Sequence, residues 1–254
     1  MADKFAIVTG ASTGIGLELA KLALQNGYDV LGAADTPFEQ DLGAGFETLQ
    51  VDLSTTDGVD QLLARAGGRR IDLLCANAGH GLGRAFLDQA VDDWKHVVDT
   101  NITGTIYLLQ KALPAMVARN DGKVLVTGSV AGYIPGSFQA VYNASKSFVD
   151  MFMAALRNEL KDADGVTLTT LMPGPVETDF FERADLMDTS VGQDDNKSDP
   201  ADVAKDGWDA VMGGKGSIFS GWKTKLQGVM ANVTPNAVLA GQHRNMAEPG
   251  SGND

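Results

Sequence analysis

Six short apolar runs alternate along this chain with segments of helical periodicity, and that alternation constrains its fold more than any other feature. The runs are Phe5–Val8, Asp29–Ala34, Phe46–Val51, Ile71–Ala76, Lys123–Gly128 and Val166–Leu171. Between them apolar residues recur every three or four positions, as in Leu17–Leu24, Val91–Arg119 and Phe148–Leu160, the spacing of one helix face. Strand and helix in alternation predict an α/β fold, a doubly wound parallel sheet with helices on both faces. No repeat or linker interrupts the 254 residues, so residues 1–247 are expected to form a single domain. Glu248 to Asp254 reads as a disordered tail.

The first run leads into Thr9-Gly10-Ala11-Ser12-Thr13-Gly14-Ile15-Gly16 and then into a helix closed by Asn26-Gly27. Glycines let the backbone approach a diphosphate, and a helix N-terminus offers free N–H groups and a positive dipole end. The Gly-x-x-x-Gly-x-Gly spacing differs from the common Gly-x-Gly-x-x-Gly, and no Gly-Lys follows to make a P-loop. A dinucleotide site is expected here, with a purely structural turn as the alternative. The same residues also spell Gly10-x-Ser12-x-Gly14, the elbow of an α/β-hydrolase. That reading needs an activating histidine from His80, His96 or His243, with an acidic partner, and the pattern identifies none.

Ser129 follows the fifth run, and Tyr142 and Lys146 lie four apart in the helical segment beyond it. On a helix they share a face, about 6 Å apart along the axis. Ser129 is expected at the carboxyl end of a strand, the edge where open parallel sheets bind ligands. A phenol with a pKa near 10 is a weak base at neutral pH, and an adjacent ammonium favours the phenolate. Lowering that pKa by about 3 units needs roughly 4 kcal/mol. Tyr142 is therefore expected to exchange a proton with an alcohol or ketone whose oxygen Ser129 holds. An amphipathic helix with a solvated lysine is the bland alternative.

Other polar residues gather at strand ends. Asp35 follows the second run, near the distance at which an acidic residue meets an adenosine ribose. Asn77-Ala78-Gly79 and Asp52-Leu53 end neighbouring strands. Asn101 lies within the long apolar helix of 91–119 and must find partners or a ligand. Met172-Pro173-Gly174-Pro175 breaks the backbone after the sixth run, and the polar stretch Asp188–Asp199 is expected to be a lid or a surface loop. Farther on, Pro200–Met212 reads as helix and Ser217–Ser220 as strand. Trp222, Leu226, Val229, Met230 and Val233 form one helix stripe, expected in the core or a subunit interface.

Composition narrows the partners. A formal net charge of −13 argues against nucleic acid and against anionic membrane surfaces. No apolar stretch approaches the roughly 18 residues of a membrane span, and Met1-Ala2-Asp3-Lys4 leaves no room for a signal peptide before the first run. The single cysteine, Cys75, excludes an internal disulfide and suits a reducing cytoplasm. No metal is expected.

Thr9-Gly10-x-x-x-Gly14-x-Gly16, Asn77-Ala78-Gly79, Asn101, Ser129 and Tyr142-x-x-x-Lys146 stand in the order of the short-chain dehydrogenase/reductase family, which the chain resembles over roughly residues 3–180. The resemblance implies a Rossmann-type fold and an oxidoreductase that moves a hydride between a nicotinamide cofactor and a secondary alcohol or ketone. It assigns Gly10, Thr13, Gly14, Ile15 and Gly16 to the pyrophosphate, Asp52 and Leu53 to the adenine, and Asn77, Ala78 and Gly79 to the ribose. Pro173, Gly174, Val176 and Thr178 match the segment that positions the nicotinamide. Tyr142 matches the proton donor or acceptor, Lys146 the ribose-binding cation, Ser129 the substrate-oxygen donor, and Asn101 a member of the proton relay. NAD is expected in preference to NADP from Asp35, although Ala34 holds the place where many NAD-dependent members carry their Asp. The family also implies a homodimer or homotetramer, built on the helices of 91–119 and 142–160. Gly128 departs from the Ser or Asn often found there, and residues 178–247, which shape the substrate pocket, carry no subfamily signature. A dinucleotide-binding regulator without turnover is the alternative.

Overall fold

The computed structural model describes residues 4–252; the expectations for Met1–Asp3, Asn253 and Asp254 lie outside the described residues. Seven parallel strands form one sheet in the order β3-β2-β1-β4-β5-β6-β7. They are β1 (Lys4–Thr9), β2 (Tyr28–Ala34), β3 (Phe46–Gln50), β4 (Leu73–Ala76), β5 (Gly122–Thr127), β6 (Val166–Met172) and β7 (Ser217–Phe219). The helices are α1 (Gly14–Gln25), α2 (Thr56–Ala66), α3 (Val91–Val98), α4 (Thr105–Ala118), α5 (Ala140–Glu159), α6 (Phe180–Arg183), α7 (Pro200–Met212), α8 (Trp222–Ala231) and α9 (Asn236–Ala247). The expected doubly wound sheet is present, extended by β7.

Side chains alternate across each strand, so consecutive residues enter different cores. Ile7 packs with Leu62, Leu109, Met116 and Met153 on the face covered by α2, α4 and α5. Val8 packs with Leu19, Ala23, Trp208 and Val211 on the face covered by α1 and α7. A strand covered on both sides has no polar face, which is why these runs read as continuous apolar sequence. Chain order reverses between β1 and β4, and such a switch point opens a crevice at the strands' carboxyl ends.

Three details differ from the sequence expectations. The 91–119 helix is not continuous: residues Asp99–Gly104 widen into a π-helical turn between α3 and α4. The stripe from Trp222 to Val233 faces outward, with Trp222 72% and Val233 75% exposed, which removes the core reading and leaves the subunit interface untouched. Small residues Thr224, Gly228 and Ala231 are the ones turned inward, because a helix seated this closely on the Phe219 ring leaves no room for a side chain at Gly228. Finally, residues 248–252 are held rather than loose. The Ser251 hydroxyl accepts from the Ser190 amide at 3.1 Å, and the Gly252 amide donates to Asp188 O at 3.0 Å.

Candidate active site

A cleft with about 1460 Å³ of empty space out to its mouth opens over the switch point. The loops leaving β1, β2, β3, β4, β5 and β6 all contribute walls. Gly10, Thr13, Gly14, Ile15, Asp35, Asp52, Leu53, Asn77, Ala78, Gly79, Ser129, Tyr142, Lys146, Pro173, Gly174, Val176 and Thr178 all line it. Two expected residues do not. A Cβ on Gly16 would collide with the Gly10 carbonyl, so Gly16 serves the close packing of turn against helix. Asn101 lies one layer behind the wall.

The start of α1 fits an anion. Gly10 and Gly14 adopt positive φ (64° and 57°), which turns the backbone sharply into the helix. Thr13 caps α1 without a side-chain hydrogen bond, and no acidic residue lies in the first turn. The first N–H groups are therefore left without a side-chain acceptor, the donor set a diphosphate requires. Ser12, the residue of the hydrolase reading, shares a 2.8 Å hydrogen bond with Thr36 and meets no histidine.

Asn77 ties three strands together. Its side-chain NH2 donates to Thr9 O at 3.2 Å, while its Oδ1 accepts from the Thr127 hydroxyl at 2.9 Å. Asn101 finds its partners in His80 and Ser145. Its Oδ1 accepts from the His80 amide at 2.8 Å, and its Nδ2 donates to His80 O and to Ser145 Oγ, both at 2.9 Å. The π-turn thus carries a fully engaged buried amide that fixes the loop after β4.

Ser129, Tyr142 and Lys146 converge as expected. Ser129 Oγ accepts from the Ala131 amide at 3.1 Å, and the Lys146 ammonium donates to Thr127 O at 2.9 Å. The phenol, however, is not depressed. Burial pushes Tyr142 up to about 12, with a Ser129 hydrogen bond acting against it and the Asp150 charge reinforcing it. The same burial pulls Lys146 down to about 8. Desolvation outweighs the ammonium 6.0 Å from the ring centroid in this balance, to which a cationic nicotinamide would add a further lowering charge.

Several residues were not picked out from sequence. Asp150, one turn beyond Lys146, is 6% exposed, and among the described residues its carboxylate has no well-formed hydrogen bond, with only the Ser129 backbone acting on it. Burial pushes it up to about 7, opposed by the Lys146 ammonium. Its spacing from Tyr142 and Lys146 was a usable signal. Phe180 lies against Tyr142 at 5.2 Å between ring centroids. From α9, His243 donates through Nδ1 to Ser137 O at 2.8 Å and reaches the Asn143 amide at 3.4 Å. The carbonyl can only accept, so Nδ1 carries the proton; burial lowers the pKa of this imidazole. His80 Nε2 meets Asp35 Oδ2 at 2.9 Å. That contact holds the Asp35 carboxyl below the usual carboxylate range.

The chain matches the short chain dehydrogenase family over residues 4–188. It is 35% identical over 178 residues to the NADP-dependent 3-hydroxy acid dehydrogenase YdfG of Salmonella typhi, covering 67% of this chain and 71% of that protein. It is 34% identical over 182 residues to the serine 3-dehydrogenase of Agrobacterium fabrum, covering 68% and 72%. In three dimensions it is similar to a short chain dehydrogenase/reductase from Burkholderia phymatum in complex with NAD. There the TM-score is 0.78 and the identity 22%, over 89% of this chain and 92% of the other. Sequence match, sheet topology and the motifs gathered around one cleft agree: this chain belongs to the short chain dehydrogenase/reductase family of oxidoreductases.

Proposed function

We propose that this enzyme moves a hydride between a nicotinamide dinucleotide and a secondary alcohol or ketone, with Tyr142 as general acid/base. The observation that carries this reading is the convergence of Ser129, Tyr142 and Lys146 on the cleft that also holds the uncapped start of α1. A bound nicotinamide supplies the hydride acceptor or donor. The residues of this chain do the rest. The first N–H groups of α1 hold the diphosphate, Lys146 and Asn77-Ala78-Gly79 hold ribose, and Pro173, Gly174, Val176 and Thr178 orient the carboxamide. Ser129 holds the substrate oxygen. Tyr142 takes the hydroxyl proton in oxidation and returns it in reduction.

Burial sets the protonation states for this work. A phenol near 12 is protonated at neutral pH, the form that donates to a ketone, and must become phenolate before it accepts from an alcohol. Added positive charge beside it favours the phenolate, and Lys146 is the cation the chain itself provides. The cleft walls include Ile134, Val191 and Met246, and Phe180 beside Tyr142, which favour a substrate with a hydrocarbon flank over a fully polar one.

NAD(H) is the preferred dinucleotide on the strength of Asp35, whose carboxylate repels an added ribose phosphate. YdfG bears an NADP-dependent name, so cofactor choice needs its own measurement. A homodimer or homotetramer and a cytoplasmic setting complete the reading. Among the described residues no helix is long and apolar enough to cross a membrane. A panel of alcohols and ketones followed by nicotinamide absorbance tests the reading directly. Turnover of at least one secondary alcohol or ketone is expected, and dinucleotide binding without turnover across the panel would favour a regulator instead.

A further inference from the structure

Two of the chain's three histidines meet beside Asp35. His80 follows β4, His96 lies on α3, and their rings are 4.4 Å apart between centroids at 64°. Asp35, just past β2, faces the same point. One donor atom from each of the three lies within 4.8 Å of the others. No other such trio of His, Cys, Asp or Glu donors occurs among the described residues.

Hydrogen bonding accounts for only part of this arrangement. The Asp35–His80 pair is a 2.9 Å contact, but among the described residues the His96 imidazole has the His80 ring for a neighbour and no hydrogen bond. Two imidazole nitrogens and one carboxylate oxygen form a donor set suited to Zn²⁺, Co²⁺ or Ni²⁺. With bonds of about 2.0–2.1 Å and angles between square and tetrahedral, donors sharing one ion stand roughly 2.9–3.4 Å apart. The Asp35–His80 contact already has that span, and a side-chain rotation of His96 closes the rest. The net charge of −13 favours a cation's approach.

We propose that Asp35, His80 and His96 form a site for a borderline divalent cation, and that occupying it excludes the dinucleotide. The exclusion rests on the reading of Asp35 as the residue that faces the adenosine ribose. Asp35 and His80 both line the cleft, so an ion between them ties the β2 side to the β4 side. That closes the space between them and takes the carboxylate from the ribose hydroxyls. His96 stands outside the cleft lining, which separates metal affinity from catalysis.

The test is Zn²⁺ titration of the purified full chain by calorimetry, with NADH binding followed separately by fluorescence. One Zn²⁺ per chain is expected. His96→Ala should weaken Zn²⁺ at least tenfold while leaving metal-free NADH binding and turnover at wild-type values. Saturating NADH should weaken Zn²⁺ by a similar factor, and Zn²⁺ should raise the wild-type thermal midpoint but not that of the variant. Absence of Zn²⁺ binding up to millimolar concentration, or binding that His96→Ala leaves unchanged, overturns the site. Binding that depends on His96 but survives saturating NADH overturns the exclusion. Failure of the protein to bind NADH at all defeats the proposed function instead, whatever the metal does.

Discussion

The carboxylate of Asp150 occupies the space that a side chain at position 128 would need: a Cβ on Gly128 would collide with Asp150 Oδ1. The other oxygen lies against Gly132, where a Cβ would come within 2.6 Å. The departure from the family pattern at Gly128 and the buried acid on α5 are therefore one packing solution. Gly128→Ala should destabilise the protein by about 1–3 kcal/mol through overpacking. Removing the collision with Asp150→Ala in the double variant should recover part of that loss. Urea denaturation of the two single variants and the double checks it, and strict additivity would refute the coupling.

Asp150 also sets a pH dependence. Burial raises its folded pKa to about 7, above an unfolded value of 3.8. Its carboxyl is thus accommodated below the unfolded pKa, and that contribution is lost as pH rises through about 7. Asp150→Asn, a near-isosteric neutral side chain, has no such loss. Thermal midpoints should favour the variant increasingly between pH 4 and 7 and level off above. Lys146, depressed to about 8, acts in a different window: its contribution is full above its ordinary pKa and lost as pH falls from there through about 8. A wild-type-minus-variant difference that is flat from pH 4 to 8 would count against a buried, titrating Asp150.

Tyr142→Phe removes one hydroxyl and no carbon. Folding and dinucleotide binding should survive, while turnover on the best substrate of the panel falls at least about a hundredfold. Lys146→Ala should lose turnover and also weaken dinucleotide binding. Fluorescence titration separates the two effects, and an unchanged affinity would remove Lys146 from the ribose.

Cofactor preference is expected to follow Asp35. Even at an effective dielectric of about 20, two unit charges 4 Å apart cost roughly 4 kcal/mol, and a ribose phosphate carries about 1.5–2. NAD(H) should lead NADP(H) by at least tenfold in kcat/KM, and Asp35→Arg should erode or reverse that order. A wild-type protein faster with NADP(H) would show that Arg183, whose charge acts on Asp35, governs the phosphate instead.

Assembly is predicted to use α5. Phe148 and Met151 remain 42% and 63% exposed, and Phe148 stacks on Phe152 at 7° between planes. Multi-angle light scattering should find a homo-oligomer at micromolar concentration, and Phe148→Glu with Met151→Glu should shift it toward the monomer. A wild-type monomer would dismiss this interface.

The sheet was legible in sequence because strands buried on both faces cannot hide their apolar runs. The glycine turn, Ser129, Tyr142 and Lys146 were legible because each is a local pattern tied to a strand end. What escaped detection was set by distance or by small geometric change. Asp35 and His80 are 45 residues apart in sequence, and nothing in either neighbourhood announces the other. The π-turn at Asp99–Gly104 adds less than a residue to a helical turn, too little to disturb a three-to-four spacing of apolar residues. The balance at the phenol was not legible because a sequence shows the neighbouring ammonium but not the depth of burial that opposes it. Asp150 is the instructive case. It continues the four-residue step from Tyr142 through Lys146, so its face was readable, but the depth of its burial was not.

The hydrogen bonds from His243 to Ser137 and Asn143 span about a hundred residues. They fasten the last helix to the segment that leads into the catalytic one. The family match ends at residue 188, yet Gln227, His243 and Met246 form part of the cleft wall. The last quarter of the chain, outside the family match, thus helps to shape the cleft, and chimaeras joined near residue 188 are expected to change which substrates enter it.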